Sequence, residues 1–275
     1  MYLDQGPVDV VDNIIRWNSA GYDGAGLSLS QSSGDISGNA IIENQANRDG
    51  AGVYVFESSG VIVNNIIAFN VSEDLSGQVL APGKGAGICL YDAYPAIDNN
   101  IVAYNDAEDL DGGGIWVANF TSGGEIINNT IVGNHAAEDG GGLCITTGTI
   151  PAYNNILAYN QAPTGANLRV YDTGALVSGY NLYYVDGGGS GVVGMSAGEA
   201  DQVAAPGFVN DPADGSPLDD DYHLTEGGMA IDAGDPDSSF DDRDGTRNDL
   251  GAFGGPLGDG FEILSMVDLG AWLEE

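Results

Sequence analysis

Apolar and polar residues in this chain alternate at period two in short runs, and the runs return at a fixed distance. The pairs Leu27/Leu29, Val53/Val55, Ile88/Leu90, Ile115/Val117, Leu143/Ile145 and Leu168/Val170 each follow a glycine phrase, from Gly24-Ala25-Gly26 to Gly165-Ala166-Asn167. Such alternation predicts strands with one buried face. A second phrase, read first as Asp12-Asn13-Ile14-Ile15, starts again at 38, 64, 99, 128, 154 and 180, with spacings of 26, 26, 35, 29, 26 and 26. No useful length of chain has helical period. Repeats of this size mean a stack of like units. Two short strands and Gly/Asn corners per unit predict an all-β solenoid whose coils stack at about 4.8 Å.

The repeat assigns most of the chain. Residues 1–186 form about seven coils, 187–256 a C-terminal cap without the period, and 257–275 a tail that reads as a short amphipathic helix or as the fragment of a further segment. Ile41, Ile67, Val102, Ile131 and Leu157 share one column and are expected to form a continuous inward stack. Two asparagine columns, Asn18 to Asn160 and Asn13 to Asn181, put identical carboxamides one coil apart, where they can hydrogen-bond as ladders. They are structural devices: a reactive site needs a local exception, not a repeated rule.

Through phrases such as Asn64-Asn65-Ile66-Ile67 and Gly85-Ala86-Gly87-Ile88, the chain resembles the right-handed parallel β-helix proteins of the pectin-lyase-like superfamily over Val8–Asp186. The resemblance implies a right-handed parallel β-helix and a bacterial extracellular or cell-surface setting. It says little of activity, because the superfamily holds polysaccharide lyases, glycoside hydrolases, tailspikes and adhesins. An enzyme of this kind would use a carboxylate pair for hydrolysis, or a Lys/Arg base with Ca²⁺ for elimination. No catalytic motif of the superfamily is matched, so no catalytic residue is carried over.

Charge narrows the partners. Six Lys+Arg against 41 Asp+Glu give a net charge of −35, which repels nucleic acid and anionic lipid and attracts cations. No secretory signal or membrane-spanning run is visible. Met1 opens almost directly into the first coil. An uncapped strand edge recruits other chains, so the N-terminus reads as truncated, and self-association into a fibre through that edge is one reading of the protein. Cys89 and Cys144 share a column with the Trp116 coil between them. That separation, about 9.6 Å, exceeds the roughly 7 Å reach of a disulfide, so free thiols are expected.

The informative departures lie on the sheet that begins at the glycine phrase. If Leu27/Leu29 and their equivalents face inward, Tyr54, Phe56, Tyr91 and Trp116 face outward on three consecutive coils. Four exposed aromatics form a patch on which sugar rings stack or a protein partner docks; cross-strand pairing that stiffens the sheet is the structural alternative. Asp92 and Arg169 lie beside them. Two insertions, Val71–Lys84 and near Asn119–Gly123, would wall a groove here. Asp23, Asp49, Asp111 and Asp139, each before a glycine phrase, read as turn residues. His135 and His223 read as surface histidines. In the cap, Asp232, Asp235, Asp241, Asp244 and Asp249 are dense enough to suggest Ca²⁺. The resulting expectation is a noncatalytic surface module binding carbohydrate or a protein partner, with a lyase or hydrolase as the alternative.

Overall fold

A computed structural model describes residues 1–74, 83–120, 123–198, 200–210, 212 and 219–258. It is a parallel β-helix, with no α-helix among the described residues; its strands are joined by corners and turns. The coil is richer than two strands. The second coil contains Leu27–Ser32, Ile36–Ser37, Ala40–Ile42 and Gln45–Ala46. The two-strand reading missed the two-residue strands because such short runs carry no periodicity of their own.

Parallel pairing joins each strand to its equivalent one coil away. Val53–Phe56 lies between Leu27–Ser32 and Ile88–Tyr91, and Ile66–Ala68 lies between Ala40–Ile42 and Ile101–Ala103. Strands Leu143–Tyr153 and Leu168–Gly179 run unbroken round a corner and so fuse two strand stacks into one sheet of 13 strands. Sheets of eight and five strands close the remaining sides. Parallel pairing continues past Asp186, through Val192–Val193 and Gln202–Val203.

The core is the inside of the coil. Ile15, Ile41, Ile67, Val102, Ile131, Leu157 and Tyr183 pair in succession and are all buried, as the aliphatic column requires. Tyr183 ends the stack with its hydroxyl against Ser178 Oγ. Both asparagine ladders form. The backbone N–H and Nδ2 of Asn65 donate to Asn100 Oδ1 at 3.0 and 2.9 Å, while Nδ2 also donates to Ile36 O and Val63 O. The second glycine of each phrase permits the spacing, since a Cβ on Gly52 would lie 2.5 Å from Gly87 O. Where the last phrase carries Asn167 instead, its Oδ1 accepts Asn160 Nδ2 and ends that ladder; Asp201 ends the other by accepting Asn181 N–H and Nδ2.

The cap covers the outer face of the eight-stranded sheet. Phe208, Tyr222, Ala230, Leu250 and Ala252 pack on Ile66, Ile101, Val132 and Ile156. Three corner asparagines hold it: Asn99 Nδ2 donates to Ala252 O and Gly254 O, Asn128 Nδ2 to Asn248 Oδ1, and Asn154 Oδ1 accepts Asp235 N–H. Each holds a left-handed backbone, φ 52 to 60°, a conformation asparagine tolerates better than most residues. The suggested helix at Phe261–Glu275 lies outside the described residues.

Candidate binding face

The outward rows of the glycine-phrase sheet stand in the expected register: Ser28, Tyr54, Cys89, Trp116, Cys144 and Arg169 pair in sequence, as do Ser30, Phe56, Tyr91 and Ala118. Their exposure differs from expectation. Trp116 is only 4% exposed, Tyr54 and Phe56 are half-buried, and Tyr91 is 39% exposed. The corner preceding each strand folds back over the first outward row. At Gly112, φ is +70° and a Cβ would sit 2.7 Å from Trp116 Cβ. Lys84 Nζ lies 4.8 Å from the centre of the Trp116 ring and Tyr91 stacks alongside it at 6.4 Å. Trp116 is therefore a packed wall, with Cys89, Ala118 and Cys144 around it. Its Nε1 has no hydrogen-bond partner. Alternation sent the ring outward correctly but could not show that the corner covers it.

The two cysteines are free and buried. Burial, with Asp49 beside Cys89 and Asp111 beside Cys144, pushes both thiols far above their ordinary range, which disfavours the thiolate form.

The aspartates before the glycine phrases do act as a turn device. Asp23 Oδ1 accepts Asp49 N–H, Asp49 Oδ1 accepts Lys84 N–H, and Asp111 Oδ1 accepts Asp139 N–H. Burial, then the neighbouring Asp23, push the Asp49 carboxyl up to about 6, against the pull of Lys84 and Arg48. Half of the six cations, Arg48, Lys84 and Arg169, lie along this column. Arg48 pairs with Asp23 at 3.4 Å; Arg169 pairs with Asp139 at 3.4 Å and lies over the Tyr171 ring. Arg169 thus buttresses the far end of the face. Asp92 occupies the left-handed corner after Tyr91, φ 51°, beside the exposed ring. Of the two insertions, 75–82 and 121–122 lie outside the described residues.

Where the first outward row is small, the face opens. Ser28 and Ser30 floor a pocket of about 660 Å³, with Tyr54 and Phe56 from the next coil on one side and Tyr2 and Tyr22 on others. Phe56 continues the ring series into Tyr91 at 6.1 Å, 26° from parallel. Tyr2 extends the first outward row, pairing with Ser28, but no glycine phrase precedes its strand to announce it; Tyr22 lies in the corner before Gly24, outside both rows, and only folding brings it here.

The parallel coil, its asparagine ladders and its glycine corners agree with the family described as right handed beta helix region, which matches residues 2–188. The chain belongs to that family. No curated protein and no solved structure matches it, so the right-handed β-helix assignment carries fold and not activity.

The cap carboxylates that the structure describes are engaged with nearby backbone and hydroxyl donors. Asp249 Oδ1 accepts Asp232 N–H, Asp235 Oδ1 accepts Asp237 N–H, and Asp244 Oδ1 accepts both N–H and hydroxyl of Thr246. Asp242, pushed up to about 6 chiefly by burial, accepts Asp249 and Gly255 N–H groups. Among the described residues no three His, Cys, Asp or Glu side chains gather closely enough to hold a metal ion. Asp241 joins no such group. The histidines each pair with one carboxylate, His135 with Asp106 and His223 with Asp221, both at 2.6 Å. Among the described residues no helix is long and apolar enough to cross a membrane.

Proposed function

We propose that this right-handed β-helix is a noncatalytic extracellular or cell-surface module that binds carbohydrate at the pocket on its first three coils. The observation that carries the reading is the pocket's make-up: four aromatic rings, Tyr2, Tyr22, Tyr54 and Phe56, around a floor of two serine hydroxyls. A pyranose has apolar C–H faces and a rim of hydroxyls, and such a lining meets both, by stacking and by hydrogen bonding. Tyr91, exposed one coil beyond Phe56, offers the next ring to a longer chain.

The binding reading is favoured over hydrolysis by the carboxylate count. Asp23 is the single acid lining the pocket, and its Oδ1 already accepts Asp49 N–H. Glycoside hydrolysis with paired carboxyls needs a second acid across the bond. Arg48 is paired with Asp23 at the pocket's edge and Lys84 lies over the Trp116 ring; among the described lining residues the cationic group is the Met1 ammonium, which donates to Gly26 O. A screen over neutral and anionic glycans, each hit followed by a reducing-end assay, tests this. Retention without new reducing ends supports the module; turnover would move it to the lyases or hydrolases.

A further inference from the structure

A second site is written into a different corner. After each of the first six strands of the eight-stranded sheet comes a left-handed residue: Trp17, Glu43, Phe69, Tyr104, Gly133 and Tyr159, with φ between 52 and 65°. Bulky side chains disfavour that conformation, and here the stacked coil imposes it at every turn; the local exception in the column is Gly133. Here four of the six are aromatic. Phe69 and Tyr104 stack at 5.4 Å and 4° from parallel, and Tyr159 meets Tyr184 edge-on at 5.1 Å.

Gly133 interrupts the ring series. A Cβ there would lie 2.6 Å from the Tyr104 ring, which leans across the glycine backbone. Between this rung and Tyr159, one coil on, the surface opens into a pocket of about 840 Å³ whose lining includes Tyr104, Tyr159, Gln161, Pro163, Val185 and Asp186. Among the described residues no Lys or Arg lines it and Asp186 is the one lining carboxylate, while the Tyr104 hydroxyl donates to Asp220 behind it. On a chain of net charge −35, such a site repels anions. Tyrosine rings beside an exposed amide side chain suit an uncharged ring with one apolar face and hydroxyls at its edge.

We propose that the Gly133 corner is a second carbohydrate site, taking pyranose rings of a neutral glycan. It rests on the functional reading above for its ligand class, and on the corner column for its place. The test is calorimetric titration with cellohexaose, xylohexaose, mannohexaose and, as the anionic control, oligogalacturonate. The proteins are the full chain and its Phe56→Ala, Tyr159→Ala and Gln161→Ala variants. The expected result is two sites for at least one neutral hexaose and none for oligogalacturonate. Tyr159→Ala should weaken one site tenfold or more and Gln161→Ala the same site severalfold, with the other site lost only in Phe56→Ala. Gln161 is an exposed side chain, so its variant keeps the test valid if Tyr159→Ala folds poorly. One site, lost in Phe56→Ala and untouched by the other two changes, would overturn the second site and leave the first standing. Binding of oligogalacturonate at the Tyr159 site would overturn its neutral preference. No binding of any of the four would overturn both.

Discussion

Replacing Asn100 by alanine removes the middle rung of the longer ladder, and the cost can be worked from its bonds. The side chain is fully buried. Its Oδ1 accepts Asn65 N–H at 3.0 Å and Asn65 Nδ2 at 2.9 Å; its Nδ2 donates to Ile62 O at 2.7 Å, Asp98 O at 3.1 Å and Asn129 Oδ1 at 3.1 Å. Some partners keep other bonds: Asn65 Nδ2 still reaches Ile36 O and Val63 O, and Asn129 Oδ1 still accepts Asn100 N–H. Asn65 N–H and Ile62 O lose this partner in the interior. At about 1–3 kcal/mol for each unsatisfied buried group, the loss is about 2–6 kcal/mol. Asn13 is the control. It is exposed at the first rung, and its Nδ2 donates only to Val11 O and Asn39 Oδ1, so Asn13→Ala should cost less than about 1 kcal/mol. Urea unfolding followed by circular dichroism measures both. If the cost of Asn100→Ala matches that of Asn13→Ala, the ladders are not what holds the coils in register.

Further expectations rest on the same geometry. Trp116→Ala should destabilise by about 3–5 kcal/mol as a core truncation does; a melting temperature near wild type would return Trp116 to the surface. Asp98 is pushed up to about 7 by burial and then by Glu125, from 3.8. Between those values the unfolded chain is ionised while the folded carboxyl keeps its proton, so stability falls as pH rises through the window, by on the order of 4 kcal/mol. Asp49 acts in the same direction up to about 6. Asp98→Asn should flatten the slope of melting temperature between about pH 4.5 and 7.5, and an unchanged slope would exclude Asp98 as its source. Chelation with EGTA should leave hydrogen exchange over 232–251 unchanged, because those carboxylates already accept backbone N–H groups; selective loosening there would restore Ca²⁺ to the cap.

Much of the architecture was legible because a solenoid writes its three-dimensional neighbours at constant spacing. A column such as Ile41–Leu157 or Asn39–Asn155 is a contact list read at a spacing of 26 residues, lengthened to 35 and 29 where insertions enter. What the period does not encode stayed hidden. Asn99, Asn128 and Asn154 repeat like their neighbours, yet they hold a segment 81 to 155 residues away. Trp116 shows the same gap at the site. Strand alternation gave its direction, but its burial depends on the corner at Gly112 and on Lys84, a cation standing where most coils place aspartate. Tyr2 joins the first outward row on a strand that no glycine phrase announces, and Tyr22 reaches the pocket from the corner before such a phrase.

The functional reading stands or falls on the pocket of the first three coils, and Phe56→Ala probes that pocket alone. The half-buried Phe56 ring lines it and stacks on Tyr91 without belonging to the interior core. Affinity for a glycan that binds the wild type should fall about thirtyfold or more, the loss of an aromatic anchor of about 2 kcal/mol, while the melting temperature stays within a few degrees. Wild-type affinity in Phe56→Ala would contradict the reading and place the ligand elsewhere.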